Sequence, residues 1–191
     1  MKKNLITAFL MTIATTILLG LIYPLVITGL AQVFFKNKAD GQIIHRNGEA
    51  IGSRIIAQPF SSPKYFHPRP SAAGNGYDAA NSGGTNYAPT NQKLIDRVRT
   101  EAATLHQENP SEPVPVDLLT TSASGLDPDI SPAAAEFQIP RLARERGTSE
   151  AALRDLVQKH TAPRNLGLLG EPRVNVLELN LALDEMTSPG R

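Results

Sequence analysis

The chain contains no cysteine and no tryptophan among its 191 residues, and only 5% of it is aromatic. Without cysteine there can be no disulfide scaffold, thiolate zinc site, iron–sulfur cluster or thiol nucleophile. Charge is missing locally rather than globally. Lys and Arg number 19 against 18 Asp and Glu, yet from Asn4 to Phe35 no Asp, Glu, Lys, Arg or His occurs. Lys2, Lys3, Lys36 and Lys38 bracket that window, and every acid lies beyond it. Residues 1–39 therefore carry +4, and residues 40–191 carry −3. A domain at −3 lacks the basic footprint that nucleic-acid binding requires.

The uncharged window is 32 residues long, about 48 Å as a helix. That exceeds the ~30 Å hydrocarbon core of a bilayer, so one tilted helix spans it. Gly29-Leu30-Ala31 could be the cleavage site of a signal peptide, but signal cores run to only ~7–15 apolar residues, and a retained anchor is the preferred reading. Long domains translocate largely regardless of charge, so the short basic tail decides orientation. The expected organisation is a cytoplasmic tail over 1–5, a transmembrane helix over 6–35 and an extracytoplasmic domain over 36–191.

One stripe of this helix is small or hydroxylated: Ala8, Thr12, Thr16, Gly20, Pro24 and Thr28 recur every four residues. Lipid gives helices no hydrophobic reason to associate, so partner faces use residues that let backbones approach. The stripe (Thr12, Thr16, Gly20, Pro24 and Thr28 above all) is read as a docking face for another membrane protein. The competing reading is that such residues are common in spanning helices and that Pro24 only kinks this one.

Beyond the membrane segment the expectation is an α+β domain, loop-rich in its first half and helical in its second. Residues 40–89 are rich in Gly, Pro, Ser and Asn, with β-prone runs at Gln42–His45 and Arg54–Gln58. Five of the domain's six aromatics fall between Phe60 and Tyr87, which predicts an ordered loop region whose rings pack, because disordered segments lack aromatics. Leu94, Ile95, Val98, Ala102 and Leu105 predict a helix capped by Thr90 or Asn91 and ended by Pro110, Pro113 and Pro115. Val114–Leu119 reads as a strand. Ser131-Pro132 opens a helix expected to break before Pro140, resume to Arg146 and stop at Gly147. Another follows from Ser149 to His160, burying Leu153, Leu156 and Val157. Val174–Met186 alternates like a strand but is helix-forming in composition, and Asn175 with Glu178 makes an N-terminal capping signal. Helix is the reading adopted.

No motif makes a convincing catalytic constellation. Gly74-Asn75-Gly76-Tyr77-Asp78-Ala79 matches a dinucleotide fingerprint but lies in loop rather than between strand and helix. Ser82-Gly83-Gly84 matches three residues of an ABC-transporter signature, and a tight turn explains it as well. Leu142–Ser149 has helix-turn-helix spacing, but Glu150, Arg154, Asp155 and Lys159 cancel on the second helix, so two packed helices are preferred. His45, His67, His106 and His160 show no metal-ligand spacing. Asp127 and Asp129 sit in a turn sequence.

The stretch Asp117–Ala135, reading DLLTTSASGLDPDISPAAA, closely resembles the C subunit of the Kdp-type potassium-transporting ATPase. So do Gln138-Ile139-Pro140-Arg141, Arg69-Pro70-Ser71, Ser82–Asn86 and the segment Gly170–Asp184, reading GEPRVNVLELNLALD. With the N-terminal span, the resemblance covers nearly the whole chain. Tyr65-Phe66-His67-Pro68 departs from the family's tryptophan-bearing version.

The resemblance implies a non-catalytic accessory subunit of an inner-membrane potassium-uptake pump. Its partners would be a channel-like potassium-selecting subunit and a P-type subunit that hydrolyses ATP, along with the lipid bilayer, and no nucleic acid. It further implies a catalytic chaperone that raises the ATP affinity of the hydrolysing subunit. Ser82, Gly83 and Gly84 are the candidate nucleotide contact. No cofactor is expected to bind firmly, ATP acting through the catalytic subunit. The alternatives are an anchored extracytoplasmic enzyme and a membrane-tethered helix-turn-helix regulator.

Overall fold

The computed structural model describes residues 1–187 and divides the chain into two compact units, Met1–Ile51 and a second beginning at Gly52. The first unit opens with α1 (Lys2–Thr15), a π-helical stretch (Thr16–Ile22) and α2 (Tyr23–Phe34). Together they make one apolar helix of 33 residues, with an 18-residue window of mean hydropathy 2.3 and no buried residue. Water would not tolerate that surface, so length and exposure both fit a membrane span. A short turn of helix, α3 (Lys36–Ala39), follows; Lys36 pairs with Asp40, and Gln32 donates to the same carboxylate. The hydrogen bond from Gln32 and the Lys36 charge hold Asp40 below the usual carboxylate range.

β1 (Ile43–Arg46) and β2 (Glu49–Ser53) form a hairpin around Asn47 and Gly48. Both turn residues have positive φ, 53° and 85°, as a two-residue turn matching strand twist requires. The expected strand at Arg54–Gln58 does not form. The chain turns there, with the Ile55 N–H bound to Ser53 Oγ, because the Asn47-Gly48 turn has already committed the preceding residues to pairing.

In the second unit α4 (Gln92–Glu108) is capped by Asn91, whose side chain accepts from the Lys93 N–H. The expected strand at Val114–Leu119 is instead a single 3₁₀ turn, Val116–Leu118. Pro115 removes a ladder donor from that run and Pro113 stands directly before it, and burying Leu118 needs only the turn.

β3 (Asp129–Ile130) leads into α5 (Pro132–Arg146), capped by Ser131 Oγ accepting from the Ala134 N–H. Contrary to expectation, α5 runs unbroken through Pro140. An internal proline costs ~3 kcal/mol, but Ile139 and Leu142 on either side are fully buried. Burying two such side chains recovers about as much. Gly147 ends α5 in the left-handed conformation at φ 63°. α6 (Glu150–Lys159) begins at the Ser149 cap and buries Leu153 and Val157, with Leu156 half-buried against the same core.

β4 (Thr161–Ala162) and β5 (Arg173–Asn175) follow, then α7 (Val176–Thr187). The sheet order is β3-β5-β4, antiparallel throughout, with Val174 opposite both Ile130 and Thr161. Val174, placed in the final helix on the pattern alone, belongs to the central strand. α7 starts two residues later, with Asn175 Oδ1 accepting from the Glu178 N–H as the capping signal implied. Phe66, Ile130, Phe137, Leu153, Val174 and Leu179 lie in one core between α5, α6, α7 and the sheet.

Candidate functional site

The small-residue stripe crosses the π-helical stretch, and Pro24 explains why that stretch exists. Its ring removes an N–H and crowds the carbonyl four residues back. The turn before it widens, and the Tyr23 N–H reaches Leu18 O, five residues back. Four residues of α-helix overshoot a full turn by roughly 40°, so a four-residue repeat winds around a plain α-helix. A π-turn falls short of a full turn instead, and returns Thr16, Gly20 and Pro24 toward one face. The Thr12 hydroxyl is turned back onto Ala8 O at 2.9 Å. Those of Thr16 and Thr28 find no acceptor among the described residues.

In the second unit the chain turns at Ser62–Tyr65 and then passes, without regular secondary structure, through the buried Phe66 and Pro68. Side chains take the place of a strand. Asn180 of α7 accepts from the Phe66 N–H at 2.8 Å and donates to the Phe66 carbonyl at 3.0 Å. Gln138 of α5 does the same for His67, at 2.7 and 3.1 Å. Arg141 reaches the carbonyls of Pro63 and Tyr65, and Arg146 that of Lys64. The Arg146 guanidinium also stacks 4.8 Å above the Tyr65 ring and pairs with Asp184. Phe66 is thereby fully buried. None of these carboxamide and guanidinium roles was legible in the sequence, beyond the fact that Gln138, Arg141 and Asn180 are polar within apolar helical stretches.

His67 sits beside this clamp. Burial first, and then the Arg141 charge, lower its pKa below the usual 6.5. Burial likewise pushes the Tyr77 phenol up to about 12, and its hydroxyl donates to Arg69 O. Both groups line a cavity of about 200 Å³ together with Glu101 and Glu108.

Ser82, Gly83 and Gly84 lie against the Ser122–Gly125 loop. The Gly83 N–H and the Ser82 hydroxyl both donate to Ser124 O, at 2.8 and 3.0 Å. A Cβ on Gly84 would come 3.0 Å from Ala123 O, and one on Gly125 would come 2.6 Å from Gly83 O. These glycines let two backbones meet, and the Ser82 hydroxyl and the Gly83 N–H are already engaged with the Ser124 carbonyl. Gly74–Ala79 forms turns with neither a preceding strand nor a following helix, so the dinucleotide context is missing.

The remaining charges are largely partnered. Arg69 binds Asp127 at 2.8 Å. Arg173 and Asn175 hold Asp129, whose pKa is raised, chiefly by burial. On the second helix of the helix-turn-helix-like pair, Arg154 bonds Glu136 and Glu150, and Lys159 bonds Asp155. That is not a surface free to read phosphates. Among the described residues no group of three or more His, Asp or Glu could hold a metal ion.

The described residues thus present an exposed apolar helix carrying a small-residue stripe, and a domain organised by internal clamps. The family model described as "K+-transporting ATPase, c chain" matches residues 5–185. The potassium-transporting ATPase KdpC subunit of Koribacter versatilis is 70% identical over 184 residues, covering 96% of this chain and 95% of that one. That of Acidobacterium capsulatum is 57% identical over 96% of this chain and 99% of its own. That of Rhodopseudomonas palustris is 55% identical over 96% and 98%. With the match running from inside the spanning helix to residue 185 within α7, the chain belongs to the family of potassium-transporting ATPase C chains, the KdpC subunits.

Proposed function

We propose that the chain is a non-catalytic accessory subunit that helps assemble a potassium-uptake pump and assists its ATP-hydrolysing subunit. The observation that carries this reading is the match over residues 5–185 to C chains of potassium-transporting ATPases. All but the first three residues of the spanning helix fall inside that match, and the helix buries none of its own residues. Its N-terminus is cytoplasmic and the domain from residue 36 lies on the far side of the inner membrane. The face of Thr12, Thr16, Gly20, Pro24 and Thr28 docks onto the channel-like potassium-selecting subunit. Any gain in ATP affinity reaches the P-type subunit through contact between proteins. The internal use of the Ser82 and Gly83 donors supports that indirect route.

Purification from membranes through a tag on this chain should recover a channel-like and a P-type subunit. Gly20→Leu, which adds bulk where the nearest outside atom is 3.8 Å away on the same helix, should reduce that recovery. Equal recovery from the variant would remove the stripe from the account. A reporter fused to the C-terminus should be active only outside the cytoplasm. Calorimetry with ATP should give no saturable heat; a binding isotherm would reinstate Ser82–Gly84 as a nucleotide contact.

A further inference from the structure

The spanning helix is longer than the hydrocarbon it crosses, and its C-terminal end is built for the layer beyond. Its 33 residues make about 50 Å of helix. At an ordinary tilt of ~20° they reach ~47 Å along the membrane normal, and a tilt of ~40° still leaves ~38 Å. Hydrocarbon takes ~30 Å of that, and the whole bilayer with its headgroup layers ~40–45 Å. Both helix ends therefore lie among headgroups.

The residues at the C-terminal end suit that layer. Phe34 and Phe35 are 69% and 61% exposed, and Lys36 and Lys38 follow at once in α3. Aromatic rings concentrate at membrane–water boundaries, and basic side chains near the surface are drawn to anionic lipid. Phe35 leaves helical geometry at φ −136° and ψ 37°, which separates α3 from the spanning helix. The Gln42 N–H donates to Asn37 O at 2.9 Å and the Gly41 N–H to Lys38 O at 3.2 Å, a Schellman closure that holds the lysines on ordered backbone. Asp40 is the one acid between Phe35 and Gly48, and Lys36 and Gln32 both hold its carboxylate, each at 3.1 Å. The Lys38 ammonium has no partner among the described residues. A phosphate approaching Lys38 thus meets no uncompensated carboxylate on this segment.

Protein and lipid could each cover such an end, and helix geometry separates them. Four residues beyond Thr28 the small-residue stripe continues to Gln32, which is turned onto Asp40. Phe34 follows two residues later, about 200° around the helix, on the side away from that continuation. The stripe is the face given to a partner helix, so the Phe34 side is the one left to lipid.

We propose that Phe34, Phe35, Lys36 and Lys38 form a binding site for the headgroup of an anionic phospholipid in the leaflet where the spanning helix ends. This rests on the reading of Lys2–Phe34 as a membrane span and names the lipid class that its C-terminal end takes.

The test uses the full chain reconstituted in vesicles of phosphatidylcholine and phosphatidylglycerol. Because the protein has no tryptophan, Phe34→Trp and, in a separate chain, Leu19→Trp each report from a single place. Leu19→Trp should be quenched most by a nitroxide deep in the acyl chains, and Phe34→Trp by one beside the headgroup. Brominated phosphatidylglycerol should quench Phe34→Trp with a preference of about five-fold over brominated phosphatidylcholine, the contribution of one lysine near an anionic surface. Adding Lys38→Gln should bring that preference to about one. Deep quenching of Phe34→Trp, equal quenching by the two brominated lipids, or a preference that survives Lys38→Gln would overturn the lipid site and leave the span standing. A Leu19→Trp chain that no lipid quenches would overturn the span and the site together. In cell membranes, a benzophenone side chain at position 34 should attach to phospholipid, whereas attachment to a protein subunit or to nothing would overturn the site.

Discussion

Replacing Asn180 by alanine isolates the device that orders the loop-rich half of the domain. Asn180 is 1% exposed and serves both backbone polar groups of Phe66, itself fully buried. Truncation leaves a buried N–H and a buried carbonyl without partners. Each stranded group costs about 1–3 kcal/mol, so Asn180→Ala should destabilise the protein by about 2–6 kcal/mol. For a chain of this size each kcal/mol lowers the melting temperature by about 2–4 °C, giving a drop of about 10 °C near the middle of the range. Thermal unfolding of the full chain in detergent, followed by tyrosine circular dichroism, measures it. Asn180→Asp keeps the acceptor for the Phe66 N–H but turns a carboxylate toward the Phe66 carbonyl. It should be at least as damaging at neutral pH, and the gap to wild type should narrow in acid, where a protonated carboxyl donates again. Gln138→Ala removes the adjacent pair of hydrogen bonds. Because one loop is held by both amides, the double variant should lose less than the sum of the singles. A loss under about 1 kcal/mol for Asn180→Ala, or strict additivity with Gln138→Ala, would refute the idea that the two side chains act as one clamp.

Three further outcomes are expected. Gly125→Ala should be strongly destabilising, since its Cβ would lie 2.6 Å from Gly83 O and 2.7 Å from the Ala73 nitrogen at φ 66°, whereas Gly83→Ala meets nothing within 4 Å and should be tolerated; melting temperatures distinguish the two. Ser131→Ala removes the cap of α5 and a hydrogen bond to Asp117, and should cost about 1–2 kcal/mol in denaturant unfolding. His67 is held below its usual 6.5 by burial and by Arg141, so the unfolded chain binds a proton more readily than the folded one. Its contribution to stability is complete above pH 6.5 and is lost as pH falls below it. His67→Gln should therefore flatten the stability profile between pH 7 and 5, and an unchanged slope would exclude His67 as its source.

The helices were legible because their signals are local. Asn91, Ser131, Ser149 and Asn175 each precede an apolar helical period, and each places its side-chain oxygen on an amide two or three residues on. The two-residue strands β3 and β4 were not legible, since two residues carry no period. The hairpin is signalled by Asn47-Gly48, a turn pair that follows the β-prone run Gln42–His45 and sets the pairing of β1 with β2. Pro140 misled because a local rule against internal proline says nothing about the burial of Ile139 and Leu142. The small-residue stripe could be read as a pattern. The π-turn that keeps it together follows from Pro24 only once the backbone is known. The clamp around Phe66 and His67 lies beyond any local reading, because its hydrogen bonds join residues 71 to 114 positions apart.

That separation sets an order of events during synthesis. Residues 63–67 leave the ribosome long before Gln138, Arg141 and Arg146, and longer still before Asn180. Until α5 exists the segment has no partners for its amides, and until α7 exists Phe66 has no second clamp. The first half of the domain must wait, with its aromatic rings uncovered, for the second half to arrive. Long-range closure of this kind slows folding and lengthens exposure to aggregation. A chain stalled before residue 180 should therefore present Phe66 to proteases and holdase chaperones, while the finished chain hides it completely.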